Sequence, residues 1–341
     1  MSTPSATVSE TGATAVREIT LAQAIREALA EELRRDPTVY IMGEDVAEAG
    51  TPFKVLAGLV EEFGTQRIID SPISEAGITG LGVGAAMTGM RPVVDIMFGD
   101  FIGLIMDQLA NQAAKVHYMS GGKLTVPMVV RTTLGATRRS AAQHSQSLHA
   151  WVSHIPGLKV VLPSTPYDAK GLLKTAIRDA NPVVFFEDKM MYQLKGPVPT
   201  EEYTIPFGVA DVKRTGTDIT IVATSSMVQV ALAAADNLES AGISAEIIDP
   251  RTTFPLDKDT LIESARKTSR AIVVDEGYER YGVTAELAAV IAEGAFYYLD
   301  APVKRMGAMD VPVPFSPVLE DQTVPTAALL TDLAKTLCGR L

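Results

Sequence analysis

Two spacings of apolar residues alternate along most of the chain. LAQAIREALAEELRRD (21–36) repeats them every three or four positions, the period of an amphipathic helix, and VYIMG (39–43) follows as a short apolar strand. GITGLGVGAAMTGM (77–90) predicts a helix of small residues, PVVDIM (92–97) a strand, and FIGLIMDQLANQAAKV (101–116) a long helix. VPMVVRTT (126–133), GLKVVLPS (157–164) and PVVFFED (182–188) predict further strands, with YDAKGLLKTAIRDA (167–180) helical between the last two. Several of these strands are almost wholly apolar, the pattern of a parallel sheet whose two faces are both covered by helices. The alternation predicts an α/β fold.

Residues 189–217 interrupt it. KMMYQLKGPVPTEEYTIPFGVADVKRTGT carries prolines, glycines and charges with no sustained period, which predicts a linker opening with a short hairpin. Strands over DITIVATS (218–225), SAEIIDP (244–250), RAIVVDE (270–276) and APVKRMGAM (301–309) then alternate with helices. The helices are MVQVALAAADNLESAG (227–242), DKDTLIESARKT (257–268) and TAELAAVIAEGAF (284–296), with a final one expected in DQTVPTAALLTDLAKTL. The expected organisation is a loose tail over 1–16, an α/β domain over 17–190, a linker over 191–217 and a smaller α/β domain over 218–341.

Composition narrows the classes of function. A chain of 341 residues, 47% of them apolar, can fill two cores. Its formal charge of −11 argues against general nucleic-acid binding. The single cysteine, Cys338, leaves no internal disulfide, in keeping with a reducing compartment. MSTPSATVSETGATAV lacks the basic and apolar segments of a signal peptide, and no stretch has the length of a membrane span. The expectation is a soluble cytoplasmic protein.

GLGVGA (80–85) fits the dinucleotide fingerprint, yet nine residues separate it from the strand RIID, and its glycines lie inside a helical pattern. They read better as sites of close backbone approach. His144, His149 and His154 are five residues apart, a spacing that scatters them around a helix and disfavours a shared metal. His144 in AAQHSQS is different, because polar residues on a loop after a buried parallel strand commonly line a ligand crevice. It is either such a group or a surface histidine. Glu75 in SPISEAG is either a first-turn residue favoured by the helix dipole or a functional carboxylate.

Taken together, GEDVAEAG, RIIDSPISEAGITGLGVGAAMTGMRPVVDIMFGDF, DQLANQAAKVHYMSGGK, AAQHSQS, PGLKVVLPSTPYDAKGLL and AIRDANPVVFFEDK carry a resemblance, joined by DPRTTFPLD, DEGYERYG and DVPVPFSP. The chain resembles the β subunit of the thiamine-diphosphate-dependent E1 component of 2-oxo acid dehydrogenase complexes, from about residue 17 onward. The resemblance implies two three-layer α/β/α domains, a pyrimidine-binding domain followed by one of transketolase C-terminal type. It also implies an α partner in an α₂β₂ assembly that holds the diphosphate and Mg²⁺, since the G-D-G…N motif for them is absent here. An E2 acyltransferase would be the second partner and a small 2-oxo acid the substrate.

By the same resemblance Glu75 contacts N1′ of the aminopyrimidine and favours the tautomer that takes the thiazolium C2 proton. Phe101 packs on the pyrimidine beside Met97 and Ile73, and His144 assists proton movement or meets the lipoyl group. Met128, Ala176, Ile177, Asp179 and Asn181 match a K⁺ site. Arg138, Arg139 and Ser140 stand where relatives often have small residues, and the two arginines are expected either to attract a carboxylate substrate or to pair with the α chain. Tyr281 replaces a frequent glycine. Decarboxylation of pyruvate or a branched-chain 2-oxo acid is the leading expectation. Acetoin cleavage and a non-catalytic E2-binding scaffold are the alternatives, while a transketolase-like single-chain enzyme is disfavoured by the missing diphosphate motif.

Overall fold

The computed structural model describes residues 15–339, so all but the end of the expected N-terminal tail lies outside the described residues. The first half contains β1 (Val16–Thr20), α1 (Leu21–Arg35), β2 (Val39–Gly43), α2 (Leu59–Phe63), β3 (Ile68–Asp70), α3 (Glu75–Met87) and β4 (Arg91–Ile96). After a helical run over 99–119 that ends in α4 (Ala114–Met119) come β5 (Val129–Leu134), α5 (His149–Ser153), β6 (Lys159–Val161), α6 (Pro166–Arg178), β7 (Val183–Asp188) and β8 (Lys195–Pro199). The second half holds β9 (Asp211–Arg214), β10 (Ile219–Ala223), α7 (Met227–Ser240), β11 (Ala245–Asp249), β12 (Thr252–Phe254) and α8 (Lys258–Thr268). It closes with β13 (Ala271–Tyr278), α9 (Val283–Ala295), β14 (Lys304–Ala308), α10 (Pro317–Glu320) and α11 (Ala327–Leu337).

The first sheet runs β12-β6-β7-β5-β4-β2-β3, parallel except for β12. One core lies between it and α1 with α6, a second between its other face and α3 with the 99–119 run. Val183, Val184, Phe185 and Phe186 of β7 therefore point alternately into both cores and are all fully buried, each contributing about 1.5–3 kcal/mol. The second sheet runs β14-β13-β10-β11-β9, with α7 and α11 on one face and α8 and α9 on the other. Both halves are thus three-layer α/β/α units. No helix among the described residues is long and apolar enough to cross a membrane.

Local chemistry starts the helices where the spacing predicts them. Thr20 and Gln23 form a reciprocal capping box at α1, Thr20 Oγ1 accepting from Gln23 N and Gln23 Oε1 from Thr20 N. Thr165 caps α6 with Pro166 in its first turn.

Three stretches differ from the sequence pattern. The segment 191–217 contains two strands: β8 pairs antiparallel with β1, and β9 forms the antiparallel edge of the second sheet. β12 leaves the second half and pairs with β6, stitching the two units together. The helix expected over 101–116 divides into a 3₁₀ turn (Gly99–Ile105), a π-helical stretch (Asp107–Ala113) and α4. Gly99 shows the pressure there, since a Cβ on it would lie 2.2 Å from the Thr133 carbonyl oxygen. The chain leaving β4 is pressed onto β5, and its first turn is tightened.

Candidate active site

β2, β3, β4, β5 and β7 end along one edge of the first sheet, and the loops leaving that edge carry Ile73, Glu75, Met97, Phe101 and His144. This is the carboxyl edge, where open parallel sheets bind ligands. Phe98, which the sequence reading passed over, is the centre of the cluster. Its ring lies 4.6 Å from that of His144, 5.8 Å from Phe101 and 5.9 Å from Phe53, edge-on in each case. Such pairs are worth about 0.5–1.5 kcal/mol each beyond their burial. Phe101 also meets the His144 ring, at 5.5 Å.

Polar contacts fix the loop that brings His144 there. Buried Lys189, just after β7, donates to the His144 carbonyl oxygen and lies 5.5 Å from the Phe98 ring centre. Burial lowers the Lys189 pKa against the pull of nearby Asp100 and Asp188. Asp100 accepts from both the backbone and side-chain nitrogens of Gln146, at 3.2 and 3.0 Å. Thr133 Oγ1 holds the Met97 carbonyl oxygen at 3.2 Å.

Glu75 is the first residue of α3, half-buried, and pairs with no cation and no other side chain. The Ser74 side chain does not cap the helix. Glu44, at the end of β2, is pushed up in pKa by burial, then by Asp45 and Glu75. Two carboxylates thus approach each other without a balancing cation, and α3 packs against the turn bearing Phe101. Ile73, in the loop ahead of α3, is 74% exposed.

Beneath the site lies a buried ionic group that the sequence reading also missed. Arg131 and Asp95 are register partners on β5 and β4 and bond directly. Arg131 also forks onto Glu187 of β7 at 2.5 and 2.7 Å, and the Tyr192 hydroxyl donates to Glu187 at 2.8 Å. Burial opposes the Arg131 charge, but Glu187 and Asp95 outweigh it and raise its pKa, while burial pushes both carboxyls up. A charge inside an almost wholly apolar strand, as in VVRTT and VVFFED, was the available signal, because such a charge must find a partner.

The five residues matched to K⁺ gather at the opposite edge, about the starts of β5 and β7. Met128 O accepts from Val183 N, Ala176 O from Asp179 N, and Ile177 O and Asp179 O both accept from Arg91 Nη1 at 2.8 and 2.9 Å. The Asp179 carboxylate accepts from Lys159 and from Asn181. These bonds outweigh burial and lower its pKa. Each carbonyl oxygen keeps a second lone pair, while Arg91 and Lys159 already bring positive charge to the group. Its place rules out a direct part in chemistry at the carboxyl edge.

The expected pair of free cations at the mouth is one cation. Arg139 is spent within the chain, Nη1 reaching Glu320 at 2.8 Å and Asp321 at 2.6 Å in the second half. Arg138 is exposed and lies 5.5 Å over the Phe53 ring. Thr137, Arg139 and Ala141 have φ of 66°, 59° and 56°, and Tyr281 has 56°. The left-handed backbone explains why glycine suits these positions. Among the described residues no three His, Cys, Asp or Glu side chains cluster as metal ligands.

Two stitched α/β units, with an unpaired glutamate and an aromatic cluster on loops of one sheet edge, agree with a protein of the transketolase type. The family models agree: transketolase, pyrimidine binding domain, matches residues 17–195, and transketolase, C-terminal domain, residues 208–329. The acetoin:2,6-dichlorophenolindophenol oxidoreductase subunit beta of Bacillus subtilis is 50% identical, over 95% of this chain and 98% of its own length. The 2-oxoisovalerate dehydrogenase subunit beta of the same organism is 48% identical over 87% and 91%, and the pyruvate dehydrogenase E1 component subunit beta of Rhizobium meliloti 47% over 95% and 71%. A solved split-gene transketolase, described as an inactive beta4 tetramer, shares the fold at a TM-score of 0.76 over 94% of this chain and 98% of its own, with 23% identity. The chain belongs to the thiamine-diphosphate-dependent E1 β-subunit family of 2-oxo acid dehydrogenase complexes.

Proposed function

We propose that this chain is the β half of an E1 enzyme whose Glu75 hydrogen-bonds N1′ of thiamine diphosphate. The observation that carries the reading is the half-buried Glu75 carboxylate, unpaired in the chain, on the edge that also presents Phe101 and His144. When bound, the cofactor supplies a carbon nucleophile and an electron sink. Glu75 would hold the proton at N1′, Phe101, Met97 and Ile73 would flank the pyrimidine, and the Phe98–Phe101 wall would keep water from that proton. His144, fixed by Lys189 and the Phe98 ring, is placed to exchange a proton with substrate or lipoyl acceptor.

An α chain would supply the diphosphate site with its Mg²⁺ and cover the carboxyl edge in an α₂β₂ assembly. Ile73, Leu81, Leu104, Met119 and Trp151 are all more than half exposed on this half of the molecule, which supports a partner that covers part of it. An E2 lipoyl group would then take the acyl product. The group around Asp179 supports K⁺ as a structural ion.

For the substrate, the 50% identity over nearly full lengths favours acetoin, with carbon–carbon cleavage at the same cofactor. Arg138 supports a second reading, a 2-oxo acid, since a free guanidinium beside the aromatic cluster suits a carboxylate. Co-expression with an α-like chain, followed by dye reduction with acetoin, pyruvate and 3-methyl-2-oxobutanoate, separates them. Acetoin is expected to give the highest kcat/KM. A 2-oxo acid preference that Arg138→Ala abolishes would reverse the order, and turnover by the β chain alone would defeat the whole proposal.

A further inference from the structure

Behind the His144 loop, Glu276 of β13 and Asp188 at the end of β7 face each other across the junction of the two halves. Both are buried, at 7% and 1% exposure. Glu276 Oε1 accepts from Ala136 N at 2.5 Å, and its Oε2 from Ser226 Oγ at 3.1 Å. Asp188 Oδ1 accepts from Met190 N at 2.7 Å, whereas its Oδ2, also buried, meets no N–H or O–H donor of the protein. Gly135 separates the two side chains. Its φ is 100°, and a Cβ there would lie 3.1 Å from both Asp188 Oδ2 and Glu276 Oε2.

One proton shared by the pair satisfies every one of these atoms. If both groups were ionised, two buried carboxylates would confront each other. A carboxyl proton on Glu276 supplies the donor that Asp188 Oδ2 lacks and leaves its other oxygen to accept from Ala136 N. Lys189 already faces Asp100 and Asp188, so a neutral Glu276 spares the junction one more negative charge. The other groups around the pair are already engaged. Asp275, next on β13, faces His149 at 3.1 Å, Asp100 holds Gln146, and Glu320 holds Arg139.

We propose that a proton held between Glu276 and Asp188 clamps the second half of the molecule onto the root of the His144 loop, making Glu276 a positioning residue for His144. Resting on the reading of His144 as an active-site group, this deepens the proposed function. The loop 135–147 hangs from two supports: at its root the Ala136 amide is held by Glu276, and near its end the His144 carbonyl is held by Lys189, the residue after Asp188. Loss of the proton would set two negative charges apart at the first support and draw Lys189 toward them, away from the second. Burial first, and Asp188 second, raise the Glu276 pKa well above its ordinary 4.5, the direction that keeps a proton on the pair.

The test uses the full β chain, without cofactor or partner. A group whose pKa is higher folded than unfolded stabilises at low pH and loses that stabilisation as pH rises toward the folded value. The wild-type Tm should therefore fall as pH rises above the ordinary carboxylate range, and Glu276→Gln, which keeps a donor and an acceptor but cannot ionise, should remove that part of the slope. Amide exchange of residues 135–147 should follow the same pattern. In wild type it quickens with pH beyond the intrinsic rate, in Glu276→Gln it does not, and in Glu276→Ala it is about tenfold faster throughout. A Gln variant with the wild-type pH slope, or one whose loop exchanges as fast as in Glu276→Ala, would overturn the clamp. Since neither readout needs turnover, a failure here is separate from a failure of the proposed activity.

Discussion

The imidazole of His144 stands at 88° to the ring of Phe98, their centres 4.6 Å apart. Lys189 holds the His144 backbone, and edge-on contacts with Phe98 and Phe101 brace its ring. Truncating it should therefore remove a placed proton carrier without loosening the loop. In the α-containing enzyme, His144→Ala is expected to lower turnover with a lipoyl acceptor about a hundredfold, and dye reduction much less. Equal, small effects on both rates would reduce His144 to a packing role.

Glu75 makes no ion pair or side-chain hydrogen bond, so its replacement costs the fold little. Glu75→Gln should leave the Tm of the β chain within about 1 °C. In the same variant turnover should fall by at least about a hundredfold, because an amide cannot share a proton with a ring nitrogen as a carboxyl does. Relief of the repulsion at Glu44 gives a second check: the Glu44 pKa, followed by NMR, should move down in the variant. A Gln enzyme with near wild-type rates would take Glu75 out of the chemistry.

Arg131 carries the opposite expectation. Its loss strands Asp95 and Glu187 together in the sheet, and breaking a buried pair typically costs about 3–5 kcal/mol. Arg131→Met should thus unfold readily at neutral pH. Both carboxyls already have raised pKa values, and without the cation they rise further. Groups raised in the folded state stabilise as pH falls, so the variant's deficit in Tm should shrink toward about pH 5. A deficit that is constant with pH would mean the two carboxyls never bear the missing charge.

The cation reading at the far edge is checked by melting alone. Arg91 already holds the carbonyls of Ile177 and Asp179, and a K⁺ bound beside it would tie the end of α6 to the starts of β5 and β7. Replacing Na⁺ by K⁺ at constant ionic strength should raise the Tm, and Asp179→Ala should erase the difference. Identical melts in the two salts would assign the whole group to Arg91 and Lys159.

Burial decides how much of this the sequence discloses. PVVFFED and VPMVVRTT announce themselves because parallel strands covered on both faces must be apolar, and β5 and β7 follow them closely. β12 does not, because three residues between prolines have no period, and its partner β6 lies in the other half of the chain. The 99–119 run keeps helical spacing while changing helix type, a distinction that side-chain periodicity does not encode. At the site, Glu75, Phe101 and His144 stand out through resemblance, whereas Phe98, Lys189 and Glu276 acquire meaning only once the fold sets them against His144 and its loop. Glu276 in RAIVVDE looks like an ordinary charge ending a strand. Only Asp188, brought up from the other sheet, makes it unusual.

Tyr281 shows the same limit from the backbone side. Its side chain is 93% exposed, so packing offers little reason for a tyrosine there, while its φ of 56° puts a non-glycine residue in the left-handed region. The next residue, Gly282, is pressed so closely on Tyr278 that a Cβ would sit 2.1 Å from that carbonyl oxygen, so the turn cannot relax by moving the strain along. Tyr281→Gly should then relieve about 1 kcal/mol of backbone strain, partly offset by the greater freedom glycine has when unfolded. The expected outcome is an unchanged or slightly raised Tm, whereas Tyr281→Val, β-branched in the same conformation, should lower it. If glycine destabilises the chain as much as valine does, the tyrosine ring itself holds this turn, and its exposure is covered in the assembly.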